Sequence, residues 1–357
     1  MRISFESVIS EASEDKARRG FAGAGSKEGI VSEPVVRPLR SVIQAEEPKP
    51  EEAIGRALMA LRKGRRSERV AAAREIGDIA ARGVKLPEAV VPLSVSLVSD
   101  RDPAVRQEAA WSLWKLGDDR AHKPLMKALV YDSSSRVREK AARALGLMGA
   151  EESLPLMLDL VTLERHIPAR LRAGIACAMG YFATERVLGH VIDAAKDAEP
   201  YVRYEAVRSL GRFLLGFTDE ISARVFKILR RYMKPRIEPC GLIRQAAIKA
   251  LRFSGSEPAN EIVARALRSD PDPAVREVAA EALLLWNSRA SEAALVYALS
   301  DDFWNVRKAA ARTLSRFIMR HGVHDSAAVS EALRRIERML PSHSYEWKLA
   351  ADAFASL

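Results

Sequence analysis

From about residue 50 onward, apolar residues recur at helical rather than strand spacing, and the arrangement returns unit after unit. Asp102-Pro103-Ala104-Val105-Arg106-Gln107-Glu108-Ala109-Ala110 reappears as Ser134-Ser135-Arg136-Val137-Arg138-Glu139-Lys140-Ala141-Ala142, and again as Asp272-Pro273-Ala274-Val275-Arg276-Glu277-Val278-Ala279-Ala280. Looser copies centre on Glu68-Arg69, Leu171-Arg172, Val202-Arg203, Ile243-Arg244 and Val306-Arg307, and a ninth, without the arginine, on Glu346-Trp347. Between Val105 and Val306 the anchor returns after 32, 34, 31, 41, 32 and 31 residues, the period of a two-helix unit.

With the anchor as position zero, apolar residues follow at plus four, five, eight and eleven: Ala109, Ala110, Leu113 and Leu116 in one unit, Ala141, Ala142, Leu145 and Met148 in the next. That spacing is one stripe of an α-helix. The Asp-Pro or Asp-Ser upstream is an N-cap signal, and Gly117, Gly149 and Gly255 are C-terminal stops. An earlier apolar helix completes each unit, as in 87–98, 122–131, 155–163, 186–195, 221–233 and 262–267. Pro92, Pro124 and Pro155 fall near first turns, where proline caps or bends a helix. One hairpin cannot bury its own stripe, so the pattern predicts stacked hairpins with a continuous core.

The Asp-x-x-Val-Arg-x-x-Ala-Ala-x-x-Leu form resembles the HEAT-repeat family, and within it the short repeats of bilin lyases. The resemblance implies an all-α, right-handed α-solenoid of about nine HEAT-like hairpins over residues 50–357. It also gives a role to the arginine after each anchor, Arg69, Arg106, Arg138, Arg172, Arg203, Arg244, Arg276 and Arg307. In HEAT-like proteins this arginine pairs with aspartate and loop carbonyls, a structural ladder between units. At plus one it lies about 100° round the wheel, beside the buried stripe. The family is mostly a collection of binding scaffolds with a few enzymes among them, so the resemblance alone names no activity.

Composition agrees with helices: aromatics make up 6%, and charges at 29% interrupt the apolar runs too often for a membrane span. Residues 1–49 differ, with four glycines between Gly20 and Gly29 and prolines at 34, 38 and 48, and are expected to form a flexible tail. Its islands Ile3–Ile9 and Val35–Ile43 are candidate recognition segments. The N-terminus has no continuous apolar core and the chain has two cysteines, which predicts a cytoplasmic protein without a disulfide framework. Eight basic and eight acidic residues cancel in the tail, so the whole excess of +10 lies in the repeats. An acidic protein, an anionic lipid surface or nucleic acid would answer it.

Positions plus six and plus ten stand at about 240° and 280°, opposite the stripe, on what would be the concave face of the superhelix. Plus six holds Arg74, Trp111, Arg143, Cys177, Arg208, Lys249, Glu281 and Arg312; plus ten holds Asp78, Lys115, Leu147, Tyr181, Arg212, Phe253, Leu285 and Arg316. Eight of these sixteen are basic and two acidic, mixed with aromatic and aliphatic anchors. This combination favours an acidic, partly apolar protein segment as partner. Nucleic acid, which would stack on Trp111, Tyr181 or Phe253, is the alternative, and a solvated face without a ligand explains the lysines equally well.

A second basic patch, Arg224, Lys227, Arg230, Arg231, Lys234 and Arg236, coincides with the 41-residue spacing and leads into a loop read as protruding, 234–241. It is either a contact site or a solvated helix end. Arg334, Arg335 and Arg338 read as mixed-charge surface with Glu331 and Glu337. His321 and His324 flank an inter-helix turn in which Asp325 makes an N-cap, His122, His166, His190 and His343 are scattered, and no His-Glu pair of the iron-binding HEAT hydroxylases occurs. There is no P-loop, Gly-x-Ser-x-Gly or dinucleotide fingerprint, and nothing near Cys177 in sequence would activate it. The reading is a non-enzymatic scaffold or adaptor without metal or cofactor. A nucleic-acid binder or a bilin-lyase-like modification or chaperone factor is the alternative.

Overall fold

The computed structural model describes residues 50–163, 167–215 and 219–339. Among them are seventeen α-helices and no strand, in hairpins that follow one another along the chain. They are α1 (Pro50–Lys63) with α2 (Arg66–Ala81), α3 (Val90–Ser99) with α4 (Pro103–Leu116), α5 (His122–Tyr131) with α6 (Ser135–Met148), and α7 (Leu154–Leu163) with α8 (Ala169–Phe182). Then come α9 (Glu185–Ala194) with α10 (Pro200–Leu210), α11 (Asp219–Tyr232) with α12 (Gly241–Leu251), α13 (Glu257–Ser269) with α14 (Pro273–Ala282), α15 (Arg289–Ala298) with α16 (Trp304–His321), and α17 (Ser326–Met339). This is an α-solenoid of eight hairpins and the first helix of another. The expected ninth anchor at Glu346-Trp347, the two N-terminal islands, His166 and His343 lie outside the described residues.

Helix α4 shows how the sequence makes its unit. Asp102 accepts a hydrogen bond from the Ala104 amide at 2.8 Å, Pro103 opens the helix, and Gly117 closes it at φ 64°. Val105, Ala109, Ala110 and Leu113 are fully buried between these caps. Their equivalents elsewhere join one apolar cluster running from Ile54 to Val329, in which each buried leucine contributes about 1.5–3 kcal/mol. The second helices pack on one another more closely than the first helices do. Their alanine pairs and glycines allow it: a β-carbon on Gly146 of α6 would stand 2.5 Å from the Ala178 α-carbon of α8.

The structure departs from the wheel at three helix ends. After α10, α12 and α14 the chain tightens into 3-10 turns at 211–214, 252–254 and 283–285. Arg212, Phe253 and Leu285, placed at plus ten on a 3.6-residue turn, therefore belong to tighter turns. The first helix of the seventh hairpin is also longer than its apolar run at 262–267, because Ala259 and Asn260 are buried as well.

Candidate functional site

The arginines at plus one link each hairpin to the next. Arg69 donates from Nε and Nη2 to Asp100 at 2.7 and 2.9 Å, and Arg106, Arg172, Arg203, Arg244 and Arg276 repeat that fork on Asp132, Asp197, Glu238, Asp270 and Asp301. The remaining amino group turns back to a loop carbonyl of its own unit, as Arg106 does to Asp100 O at 2.8 Å. Each acid holds its own loop as well, accepting the amide two residues on: Ser134 for Asp132, Asp272 for Asp270. Every one of these acids stands five residues before its anchor, a spacing the sequence displays and the helical wheel overlooked. In the fourth hairpin that position is His166, outside the described residues, and Arg138 donates to Leu129 O at 2.8 Å. Arg307 donates to the Asp301 and Asp302 carbonyls.

The sixteen positions opposite the stripe are not equivalent. In the first two hairpins their charges are mated across the α2/α4 seam: Arg74 with Glu108 at 2.8 Å and Lys115 with Asp78 at 2.6 Å. Trp111 is half-buried beside Trp114, with the Lys140 ammonium 4.5 Å from its ring centroid, and Leu147 is half-buried. In the later hairpins Lys249, Arg312 and Arg316 are exposed, and no carboxylate lies within ion-pair distance of them among the described residues. Phe253 and Leu285, at plus ten of the sixth and seventh units, keep 38% and 43% of their surface exposed. Glu281 stands in the field of Lys249, Arg252 and Arg312.

Two of the sixteen are turned into the protein. Cys177 is buried, and burial pushes its thiol up, which leaves it neutral and unreactive. Arg143 lies across it, 3.5 Å from Sγ, and bonds Glu139 at 3.2 Å, Glu205 at 2.9 Å and the Tyr201 hydroxyl at 2.8 Å. The Tyr201 hydroxyl donates to Glu139 at 2.7 Å, and burial, with that carboxylate next, pushes its phenol up to about 12. Arg143 is thus a tie spanning three hairpins, from α6 over α8 to α10, rather than a free cation for a partner. The reach exists because α8 carries Gly174 and Cys177 under it; a β-carbon on Gly174 would stand 2.9 Å from the Glu139 carbonyl.

Arg170 and Arg208 join the same pair of acids from either side, at 3.4 Å to Glu139 and 3.2 Å to Glu205. Arg212 stacks 3.8 Å over the Tyr181 ring, and Arg208 stands 5.7 Å over Tyr204. Sequence reasoning missed Arg170, Tyr201, Glu205 and Glu139. The first three sit at minus one and plus three, about 260° and 300° on the wheel, on the face already chosen.

A family model described as HEAT repeats matches residues 57–133, 90–176, 191–284 and 260–339. The chain belongs to the HEAT-repeat family. Solved HEAT-like and related structures resemble it at low identity. An engineered protein is 20% identical over 85% of this chain and 88% of its own, with a TM-score of 0.45. The complex of CpcE and CpcF of phycocyanin lyase from Nostoc sp. PCC7120 is 18% identical over 86% of this chain and 100% of its own, at 0.46. Human deoxyhypusine hydroxylase in complex with glycerol is 19% identical over 79% and 97%, at 0.34. None of the curated protein sequences matches.

Away from the inner row, HEAT helix α11 exposes Arg224, Lys227, Arg230 and Arg231, and Lys234 and Arg236 continue them, none with a carboxylate at ion-pair distance among the described residues. The loop that follows, read as a protrusion, is exposed over 234–237 and tied down at Glu238, which is buried against Arg203 and whose carbonyl binds Arg244 at 2.9 Å. Ile237 of the same loop is left at the surface. Arg334 and Glu331 are exposed on α17; the side chains of Arg335, Glu337 and Arg338 are outside the described residues.

His321 and His324 face Leu284 O and the Asn287 side chain, while the Glu292 carboxylate takes the His324 and Asp325 amides and Asp325 caps Ala328. Among the described residues no group of three or more His, Cys, Asp or Glu side chains is set to hold a metal, and no helix is long and apolar enough to cross a membrane.

Proposed function

We propose that this HEAT-repeat chain is a non-enzymatic binding scaffold whose later second helices receive an acidic, partly apolar segment of another protein. The observation that carries this reading is the contrast along one row. Cations of the first hairpins are matched by carboxylates of the neighbouring helix, whereas Lys249, Arg312 and Arg316 stand exposed, with no carboxylate of the described residues at ion-pair distance, on the row that carries exposed Phe253 and Leu285. Unmatched like charges repel, a cost that an acidic ligand converts into attraction. The apolar pair supplies contact area that steering charges do not. Stacked helices hold these groups in place before binding, so the partner orders on a receptor that is already ordered.

The test is affinity capture from nuclease-treated host lysate at moderate salt with wild type and the Arg312→Glu/Arg316→Glu double variant. An acidic protein held by wild type and released by the variant, with unchanged circular dichroism, is the expected result. Capture that survives the charge reversal, or capture seen only when the nuclease treatment is omitted, defeats the reading.

A further inference from the structure

We propose that the middle of the inner row, over α8, is a seat for a carboxylate, gripped by Arg208 and Arg212 and contributed by a side chain of the acidic segment. This assignment rests on the scaffold reading and adds to it a fixed anchoring point.

Three neighbouring helices build the seat. α6 contributes Glu139 and Arg143, α8 contributes Arg170, Gly174, Cys177 and Tyr181, α10 contributes Tyr201, Glu205 and Arg208, and the 3-10 turn after α10 contributes Arg212. Gly174 and Cys177 are the smallest side chains of this set, so the middle helix forms a low floor between its neighbours. Arg143 covers the floor and is itself held by Glu139, Glu205 and Tyr201.

The charges do not balance. Arg143, Arg170 and Arg208 share two carboxylates, both at least 95% buried and so fixed in position, and Arg212 adds a further positive charge that no carboxylate meets among the described residues. Glu205 gives one oxygen to Arg143 and the other to Arg208. Arg208 uses a single amino group on it, and the remaining donors of its fork are unspoken for by any carboxylate.

The geometry of Arg212 is what makes this a receptor rather than a stray charge. Its guanidinium carbon stands 3.8 Å above the centroid of Tyr181, so the aromatic ring occupies the face of the group and the N–H edge stays available. Arg208 lies in the last turn of α10 and Arg212 in the 3-10 turn that follows it, four residues on, so the two cations belong to the same end of one helix. A tyrosine ring lies against each guanidinium, Tyr204 at 5.7 Å and Tyr181 at 3.8 Å, and a planar oxyanion matches the arginine fork. Cys177 beneath is neutral, so the floor does not repel an anion.

The probe is a rhodamine-labelled, end-blocked peptide alternating glutamate with leucine and phenylalanine, titrated by fluorescence anisotropy at constant ionic strength. Arg212→Leu is expected to weaken binding at least tenfold. Arg212→Lys should recover only part, since an ammonium keeps the charge but not the fork. Arg316→Leu should weaken binding severalfold, as the loss of one receptor charge away from the seat, and Arg265→Leu on the first helix α13 should leave it unchanged. Glutarate should displace the peptide at lower concentration than inorganic phosphate. Equal losses in Arg212→Leu and Arg316→Leu, or full recovery by lysine, overturn the seat while leaving the scaffold standing; stronger displacement by phosphate overturns the carboxylate assignment. A wild-type protein that ignores the peptide overturns both. Circular dichroism of each variant separates loss of binding from loss of fold.

Discussion

Arg244 and Asp270 meet across the seam between the sixth and seventh hairpins, Nη2 to Oδ1 at 2.7 Å and Nε to Oδ2 at 2.9 Å, with side chains 2% and 1% exposed. A buried fork of this kind aligns two hairpins, and its loss leaves an unpaired charge in the interior. Asp270→Asn is therefore expected to cost about 3–5 kcal/mol, and Arg244→Lys about 1–3 kcal/mol because the charge survives but the fork does not. Arg307→Lys, whose acceptors among the described residues are the Asp301 and Asp302 carbonyls, should cost below about 1.5 kcal/mol. Urea denaturation followed by circular dichroism orders the three; an equal cost for Arg244→Lys and Arg307→Lys would contradict the fork.

The same seams set the acid sensitivity. Burial pushes the Asp100 and Asp197 carboxyls up, but the bonds from Arg69 and Arg172 and from backbone amides outweigh it, and both end below their ordinary value. A depressed folded-state value means stability that is complete above the ordinary carboxylate range, near pH 4, and lost as pH falls through the lowered value. Urea midpoints should change little between pH 7 and 5 on this account and drop by pH 3. Asp197→Asn should start lower and lose less over that last interval; a parallel drop in both proteins would exclude the seam.

Ala183 ends α8 at φ 39°, the left-handed region that a β-carbon disfavours, and it is the non-glycine residue found there among the described residues. Gly117 and Gly149 hold the same place after α4 and α6. Relief of the left-handed conformation by Ala183→Gly is worth about 1–2 kcal/mol, against roughly 0.4–1 kcal/mol from the looser unfolded chain. The variant should come out slightly more stable, by up to about 1 kcal/mol in a thermal or urea melt. A clear destabilisation would show that the Ala183 methyl packs to effect.

On α11, Lys227 has Arg224, Arg230 and Arg231 three or four positions away, the spacing at which helical side chains are neighbours. Lys227→Glu exchanges repulsion for attraction, worth about 0.2–0.5 kcal/mol per pair, and should raise stability by roughly 1 kcal/mol at low salt. The gain should fade in 1 M salt, where screening acts within about 3 Å. A gain that ignores salt would point to helix propensity instead.

The inner row shows where sequence reasoning succeeds and where it stops. Arg143 and Arg312 occupy the same wheel position, and nothing local separates them. Arg143 meets Glu205 only because α8 offers Gly174 and Cys177 for it to cross, a property of two other helices. Arg74 and Arg316 differ likewise through what the adjacent second helix presents. The acids five residues before each anchor were visible in the repeat, but their partners lie 25 to 35 residues away in sequence, so their role emerges once the hairpins are stacked.

The repeat period, the caps at Asp102 and Gly117, the apolar stripe and the face left over were all determined by the chain itself, because each depends on residues within one or two helical turns. Which cations on that face remain unmatched, how Arg143 is bound, and where 3-10 turns redirect Arg212, Phe253 and Leu285 were decided by tertiary structure alone. Charge pairing across stacked helices depends on distances in space, and a helical wheel carries only angles.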